Sequence, residues 1–396
     1  MMRANTAPSA DDPAQPPDAG TVAAFTVEIL TGRGAFRALK PEWDALFARA
    51  GLPHQLFQRH GFLRHWCENY PVADRRLCFV VGREAGRLVM LWPLERRSRL
   101  GLEMVRPMGA PVTQFDDVLV EPGPQRESWI ERGWEALRRH GIDLAVLRHV
   151  RSDGVLGQSA RVGLLTPVVS QEAPFADLGL RVAPDGPSLA YPARDRSSYR
   201  RRLRRLTERG EIAFRTLTPG REAANLAERA VAMKRGALTQ HGVVAPAIAD
   251  PRFSRFFSAL AADVIDEAGL RISIISCDGR PIAVDLSFDC KGRSFGHVIA
   301  SDPAFEREGL GRLLVHHAFA SARSRGNAIF ELLAPADPYK QEHADGLVAV
   351  RDLCVPLSWR GQLACDVALP HLRPALKALA KRLPPSWVRR FARPGH

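Results

Sequence analysis

The stretch from Ser294 to Lys340 constrains the fold most, because it predicts a strand, a glycine turn, a helix and a second strand in direct succession. The two strands are expected at 295–301 and 328–333, with the turn at 306–311. Apolar side chains recur between them at helical spacing, at Leu310, Leu313, Leu314, Ala318 and Ala322. Gly326 stands where a glycine commonly ends a helix. Such an alternation of strand and helix is typical of α/β proteins.

The turn itself carries Gly309 and Gly311. Glycine lets the backbone approach a ligand without a Cβ in the way. The helix that follows offers unpaired N–H groups and the positive end of its dipole. Together these features favour a diphosphate site. A tight turn without a ligand is the alternative, and a glycine pair alone does not decide between them.

The sequence Glu306-Arg307-Glu308-Gly309-Leu310-Gly311 resembles the coenzyme A loop of the GNAT acyltransferases. That loop usually reads Gln or Arg, two residues, Gly, one residue, then Gly or Ala. Glu306 departs from this pattern, which removes one expected contact but leaves the backbone cradle. The longer run, which ends in Asp337-Pro338-Tyr339-Lys340, is similar to the CelD/BcsL-type acetyltransferases linked to bacterial cellulose and exopolysaccharide synthesis.

Those proteins share a tandem GNAT arrangement with the FemABX aminoacyl transferases. The resemblance extends from about Phe25 to Cys365. It implies an α/β (α+β) fold with two tandem GNAT-like domains, each a mixed twisted sheet flanked by helices.

Two features of the second half recur earlier in the chain. The hairpin glycine Gly86 is matched by Gly279, 193 residues later, and the helix-ending Gly141 is matched by Gly326, 185 residues later. Nearly equal displacements of unrelated features indicate an internal duplication. The glycine turn has no counterpart before Trp129, so we expect the first half to have kept the fold and lost the cofactor site.

These patterns predict the following organisation of the chain: a disordered leader at 1–22, a degenerate GNAT-like domain at 23–170, a proline-rich linker at 171–195, a GNAT domain with the acyl-CoA site at 196–365, and a basic amphipathic tail at 366–396. The tail could lie on an anionic membrane or pack on the body. The leader lacks an apolar signal core, and no apolar run is long enough to span a bilayer. We therefore expect a cytoplasmic protein, with peripheral contact to the inner membrane left open.

In the first half, a strand carrying Asp116 and Asp117 is expected at 115–120.

The net charge of +13 favours acidic ligands, nucleic acid or an anionic membrane, without deciding among them. Much of this charge lies in a predicted helix with Arg201 and Arg205, which could bind substrate phosphates or form a solvated face. Tyr199 is the only aromatic residue beside it, so the helix does not favour nucleic acid. The six cysteines show no zinc spacing, so we expect reduced thiols and no metal site.

Transfer of an acyl group from a thioester to an amine requires a base, an oxyanion donor and an acid for the leaving thiolate. The base candidates are Glu331, His297, Asp285 and Asp337. Burial of a carboxylate in an apolar strand would raise its pKa to a useful range. A salt-bridged carboxylate and a satisfied core histidine are the alternatives. No side chain resembles a nucleophile with its own base, so direct attack of the amine is expected.

The resemblance adds further roles. It implies that Tyr339 acts as the general acid. We also expect Lys340 to pair with a substrate or cofactor phosphate, and Asp337 to bind the substrate. The resemblance also implies a cofactor site that comprises Ile299, Ser301, Arg307, Gly309, Leu310, Gly311 and Arg312. The sequence therefore predicts an N-acyltransferase that uses acyl-CoA, specifically acetyl-CoA. The expected acceptor is an amino group of a sugar or of an exopolysaccharide or cell-envelope precursor. The alternatives are a FemABX-like transfer from aminoacyl-tRNA and a non-catalytic binding protein of an envelope assembly.

Overall fold

The computed structural model describes residues 25–183, 186–189, 193–243, 245–265 and 268–366. The leader at 1–22 and the amphipathic segment expected at 371–390 lie outside these residues.

The first half contains β1 (Phe25–Thr31), α1 (Gly32–Ala38), α2 (Lys40–Ala50), α3 (His60–Asn69), β2 (Leu77–Glu84), β3 (Arg87–Arg99), β4 (Leu102–Pro107), β5 (Leu119–Val120), α4 (Arg126–Arg139), β6 (Leu144–Arg151), α5 (Val155–Gln158), α6 (Ala160–Gly163) and β7 (Val169–Asp177).

The second half contains β8 (Val182–Ala183), β9 (Gly186–Leu189), α7 (Ala193–Thr207), β10 (Ile212–Leu217), α8 (Arg221–Gln240), α9 (Pro246–Ala249), α10 (Pro251–Ala262), β11 (Ala268–Cys277), β12 (Arg280–Cys290), β13 (Arg293–Ser301), α11 (Leu310–Ser324), β14 (Ile329–Glu331), α12 (Pro338–Gln341), β15 (Gly346–Pro356) and α13 (Trp359–Leu363).

Thirteen of the described strands form one mixed sheet in the order β1-β2-β3-β4-β6-β15-β7-β14-β13-β12-β11-β10, with β5 against β3. The two halves follow the same path. Each begins with an antiparallel meander, and each then adds a parallel strand after a helix, β6 beside β4 and β14 beside β13. The mixed α/β fold class predicted from the sequence is confirmed.

The matching turns show the duplication in the backbone. The β2–β3 hairpin turns at Ala85-Gly86 with φ of 48° and 78°, and the β11–β12 hairpin turns at Asp278-Gly279 with φ of 48° and 75°. Gly141 after α4 and Gly326 after α11 both have left-handed φ, 77° and 87°. Glycine adopts this conformation without steric cost, so the same residue recurs at the same structural position.

The last strand of each half is built into the other half. β7 pairs with β14 and β15, which both belong to the second half. β15 pairs with β6 and β7, which both belong to the first half. The part of the expected linker from Gln171 to Asp177 is therefore a central strand.

An apolar core on one face of this sheet also joins the halves. Phe62 of α3 lies 5.3 Å from Phe256 of α10 and 5.7 Å from Phe288 of β12, measured between ring centroids. Phe57 of the first half lies 6.1 Å from Phe295 of β13. Full burial of one such ring contributes roughly 2 kcal/mol, so these contacts fix the position of one half against the other.

The predicted strand at 115–120 is wrong except for Leu119 and Val120. Asp116 and Asp117 lie in the preceding loop, where their buried carboxylates accept backbone N–H groups. Arg148 N donates to Asp116 Oδ2 at 2.6 Å, and Leu156 N donates to Asp117 Oδ1 at 2.8 Å. A carboxylate that satisfies loop amides in this way replaces the regular strand ladder. No helix among the described residues is long and apolar enough to cross a bilayer.

Candidate functional site

The strands β13 and β14 part shortly after they begin. They pair only from Arg293↔Ile329 to Phe295↔Glu331. Beyond this point β13 continues along β12 to Ser301, whereas Leu332 N–H turns away and donates to the Pro174 carbonyl oxygen at 2.8 Å. The register of β12 against β13 shifts between Leu286 and Ser287, which leaves a bulge in this region. A cleft therefore opens within the sheet on the β14 side of β13. Within the described part of the chain, no strand pairs with the backbone of β13 on this side beyond Phe295.

The glycine turn lies at the start of α11. Gly309 is its N-cap residue, with the left-handed angles φ 68° and ψ 39°. A Cβ added to Gly309 would lie 1.8 Å from the Arg202 Nη1 atom, whereas a Cβ on Gly311 would have no neighbour within 4 Å. The backbone conformation therefore favours glycine at Gly309, whereas the site at Gly311 leaves open space. Among the described residues, the N–H groups of Leu310 and Gly311 have no backbone partner and are available to an anion.

The guanidinium of Arg202 lies over this turn. Arg202 extends from α7, is half-buried and donates from Nε to Ser198 Oγ at 3.2 Å. Burial, and then the charges of Arg312 and Arg201, lower the pKa of Arg202. A cation held against other cations at a helix N-terminus is stabilised when an anion binds between them. The arrangement therefore fits a diphosphate group.

Sequence reasoning selected Arg201 and Arg205 on this helix, but both are exposed. It missed Arg202. The signal was available, because Arg202 is three residues after Tyr199 and four before Leu206, at the margin of the apolar stripe of the helix. Arg312, one of the two arginines predicted at the cofactor site, forms an ion pair with Glu342.

The corresponding turn of the first half is different. It reads Glu121-Pro122-Gly123-Pro124-Gln125 and leads into α4. This sequence lacks the glycine pair of the turn at Gly309 and Gly311. The loss of a cofactor site from the first half stays an expectation.

Asp285 lies in β12 beside the point where β13 and β14 part. Its side chain is 1% exposed and its Oδ2 accepts from Ser287 Oγ, whereas its Oδ1 has no hydrogen-bond partner in the described part of the chain. A Cβ added to Gly296 of β13 would lie 3.7 Å from this Oδ1 atom. Burial raises the pKa of Asp285 to about 7. The group can therefore gain and lose a proton near neutral pH, as a general base must.

Tyr339 lies on α12 and is 38% exposed. Burial of its hydroxyl, and then the charges of Asp285 and Asp337, raise the pKa of Tyr339. The phenol is therefore protonated at neutral pH and lies close enough to Asp285 to respond to its charge. Asp337 itself is largely exposed at the start of α12.

His297 occupies the bulge of β13. Its Nε2 lies 2.8 Å from the Val112 carbonyl oxygen and must donate to it, and the Gln114 amide lies 3.1 Å away. Burial lowers the pKa of His297 to about 4, so the ring is neutral at pH 7. Its Nδ1 has no partner. The first half thus reaches the cleft through the loop that carries Val112 and Gln114.

Glu331 is better explained as an ion-pair residue than as a base. Its side chain is fully buried, with Oε2 3.1 Å from Arg151 Nη1 and Oε1 2.7 Å from Arg293 Nη1. Arg151 comes from the first half, and Arg293 comes from the second. Two guanidinium partners stabilise the carboxylate as an anion and leave it no free oxygen for a substrate proton.

Lys340, predicted to pair with a substrate or cofactor phosphate, is bonded to the backbone of the loop that precedes it. Its Nζ donates to the carbonyl oxygens of Leu333 and Pro335 at 2.9 and 3.1 Å. Burial lowers the pKa of Lys340 to about 8. A second lysine, Lys234 of α8, was not predicted; it lies close enough to affect Lys340, and burial lowers its pKa as well. Lys340 therefore orders the loop beside the cleft.

The remaining predicted cofactor residues lie along β13 and the turn. Ile299 is directly opposite Asp285 across the β12–β13 ladder, and Ser301 ends β13. Arg307 is exposed, whereas Leu310 is 1% exposed and can contribute only backbone groups. Among the described residues, no group of His, Cys, Asp and Glu has the arrangement of a metal site.

Comparison with known proteins concerns one segment of the chain and the overall fold. Residues 193–341 match the family model described as an acetyltransferase (GNAT) domain. No curated protein sequence shows a significant match to the chain. The fold resembles the crystal structure of FemX, with a TM-score of 0.57 and 11% identity over 86% of this chain and 99% of that one.

It also resembles the C-terminal domain of a putative lysylphosphatidylglycerol synthetase from Agrobacterium fabrum, with a TM-score of 0.50 and 13% identity over 84% of this chain and 96% of that domain. At this identity the likeness concerns the fold alone. Residues 193–341 therefore resemble a GNAT-type acetyltransferase domain, and the chain has a fold like that of FemX.

Proposed function

We propose that the protein is an acyl-CoA-dependent N-acyltransferase whose active site is the cleft between β13 and β14. The observation that carries the proposal is the turn at Gly309 and Gly311, with its free helix amides and the Arg202 guanidinium above it. The amides of this turn and Arg202 would hold the diphosphate of coenzyme A. When bound, the thioester supplies the acyl group; acetyl is the group that the resemblance implies.

Asp285 is the proposed general base. Its free Oδ1 and its raised pKa suit it to accept a proton from the attacking amine near neutral pH. Tyr339, protonated and within the influence of Asp285, would give a proton to the leaving sulfur. The backbone of β13 beyond Phe295 would supply the N–H donor for the oxyanion, which is typically worth on the order of 3 kcal/mol of barrier.

The finer assignments rest on the sequence resemblance. We propose as acceptor an amino group of a sugar or of an exopolysaccharide or cell-envelope precursor. The first half would form the second wall of the cleft through the loop of Val112 and Gln114. We propose the predicted domain limits, 23–170 and 196–365, with one change. The strands β7 and β15 are exchanged between the two domains, so each pairs with strands of the other one.

Calorimetric titration with acetyl-CoA tests the proposal. We expect saturable binding by the wild-type protein, and a Kd raised about 10- to 100-fold by Arg202→Gln, because a charge-assisted hydrogen bond is lost. Arg201→Gln is the matched control, since Arg201 is exposed on the same helix, and its Kd should change less than about twofold. Absence of binding by the wild-type protein would refute acyl-CoA as the donor.

Transfer from aminoacyl-tRNA is the second candidate. The likeness to FemX, together with the net charge of +13, supports it. A filter-binding assay with aminoacyl-tRNA at increasing salt separates the two candidates. Tight binding of tRNA that Arg202→Gln weakens, without binding of acetyl-CoA, would favour this alternative.

A further inference from the structure

The tip of the β3–β4 hairpin is formed by Leu100 and Gly101. Both residues have left-handed φ, 53° and 75°, and the leucine side chain is 94% exposed. A branched apolar residue is unfavourable in this conformation, and its exposure to water adds a second cost. The corresponding first positions of three other hairpins hold Ala85, Asp278 and Lys291, each followed by glycine. Folding alone does not explain a leucine at this tip.

A cavity of about 520 Å³ lies at the base of the same hairpin. Its lining consists of Arg75, Arg76, Arg96, Arg97, Ser98 and Glu103. β3 continues past its last pair with β2, Leu77↔Glu95, so this part of β3 has a free edge. Ser98 is two residues from Leu100, which places the cavity within about 7 Å of the tip along the strand.

The cavity has an excess of positive charge. The fully buried carboxylate of Glu95 is shared by Arg76, Arg97 and Arg106, with Arg106 Nε at 2.8 Å from Oε2. Arg96 pairs with Glu103 at 2.7 Å. Arg75 is exposed and has no anionic partner among the described residues. Crowded guanidinium groups with spare donors are the usual binding partners of phosphate oxygens.

The short helix α13, which carries two exposed apolar side chains, lies beside the tip. Arg360 of α13 donates to the Gly101 carbonyl oxygen, which places the neighbouring Trp359 at this corner of the molecule. Trp359 is 76% exposed and Leu363 is 57% exposed. The chain after α13, residues 367–396, carries seven Lys and Arg residues and no Asp or Glu.

We propose that this corner of the first half docks on the surface of an anionic phospholipid bilayer. Leu100 and Trp359 enter the boundary between headgroups and acyl chains, and the arginine cavity receives a lipid phosphate. Apolar tips beside clustered arginines have the composition of surfaces that bind such membranes. A soluble phosphate would explain the arginines but not the exposed leucine and tryptophan. The docking surface is independent of the acyl-transfer site.

Sedimentation of the full-length protein with vesicles tests the docking. We expect binding to vesicles of phosphatidylcholine with 30% phosphatidylglycerol, a proportion chosen as roughly that of an anionic membrane, and little binding to phosphatidylcholine alone. Leu100→Asn should weaken binding about tenfold, because it removes an inserting side chain while asparagine tolerates the left-handed conformation. Arg75→Gln should weaken it about fivefold through loss of one charge near the surface.

The matched controls are Leu164→Asn, at a leucine that is 88% exposed elsewhere, and Arg229→Gln, at an exposed arginine of α8. Both should bind within about twofold of the wild type. Circular dichroism and thermal melting check that each variant folds. Equal binding by Leu100→Asn and Leu164→Asn would overturn the proposal, as would absence of binding to anionic vesicles. Competition by millimolar inorganic phosphate, with unchanged binding by Leu100→Asn, would show a site for soluble phosphates only.

Discussion

The side chain of Asp285 connects the fold to the proposed chemistry. It is held in an apolar strand with one free oxygen, and burial raises its pKa to about 7. Since the proposed base must be deprotonated to accept a proton, kcat/KM should rise with pH and reach a plateau above about pH 7. Asp285→Asn should lower kcat by about 100-fold or more. The pH–rate profile of acetyl-CoA turnover with a model amine measures both effects.

A variant of its neighbour provides the control. Ser287 donates a hydrogen bond to Asp285 and thereby lowers the pKa of the carboxyl. Ser287→Ala should therefore move the inflection of the profile to higher pH while kcat on the plateau is preserved. An unchanged inflection would mean that another group sets the profile.

Asp285 also predicts a dependence of stability on pH. Its pKa in the folded state, about 7, lies above that of an unfolded aspartate, so between about pH 4 and 7 the folded state binds more protons. The contribution of Asp285 to the free energy of unfolding should therefore fall as pH rises through this range, by up to roughly 4 kcal/mol. Buried histidines such as His297, whose pKa is lowered, contribute in the opposite direction, so the effect is read from the difference between Asp285→Asn and the wild type. Urea denaturation of both proteins at pH 5 and pH 8 measures this difference, and a stability of Asp285→Asn relative to the wild type that does not rise between these values would contradict the prediction.

At the scale of elements, Glu331 of β14 links the two halves through ion pairs with Arg151 of the first half and Arg293 of the second. Glu331→Gln should reduce the free energy of unfolding by about 2 kcal/mol, because Arg151 and Arg293 lose the buried anion that they share while Arg151 keeps Asp153. The shape of the pH–rate profile should not change, since Asp285 is the proposed base. Glu222→Gln, at an exposed ion pair with Arg215, should cost less than about 0.5 kcal/mol. A loss of activity in Glu331→Gln without a loss of stability would restore Glu331 as the base.

The elements show what the sequence could and could not predict. The periodicity of the segments in the second half predicted β13 and α11 closely, because each is amphipathic or buried in its own right. β7 was expected as linker because Pro174 interrupts it. The sheet tolerates Pro174 because β14 ends beside it. The Pro174 carbonyl oxygen accepts from Leu332 N–H at this point, and no strand there needs the N–H that proline lacks.

The sequence likewise predicted some features of the candidate site and not others. The glycine turn was readable because its backbone geometry requires glycine at Gly309. Asp285 and Glu331 could not be told apart, since both interrupt apolar strands. What distinguishes them is the pair of arginines on Glu331, and one of these, Arg151, is 180 residues away in sequence. Contacts at such separation follow from the exchange of strands, which local patterns do not encode.

At the scale of the whole molecule, the exchange of β7 and β15 makes each half incomplete alone. A fragment of residues 1–192 would keep β7 but lose both strands beside it, and a fragment of residues 193–396 would leave β15 in the same position. Each would also expose the face where Phe62 contacts Phe256 and Phe288. Unpaired strands and exposed apolar faces favour aggregation over folding.

We therefore expect that neither fragment folds alone, that co-expression restores a folded complex, and that the intact chain unfolds in a single transition. Circular dichroism and gel filtration of the separate and co-expressed fragments, with urea unfolding of the intact chain, provide the measurement. The control is a chain cut after Gly123, inside the first half. This cut divides one half into two pieces and does not separate the two duplicated halves. Independent folding of either fragment would show that the exchanged strands are dispensable, and the cleft would then have to be assigned to the second half alone.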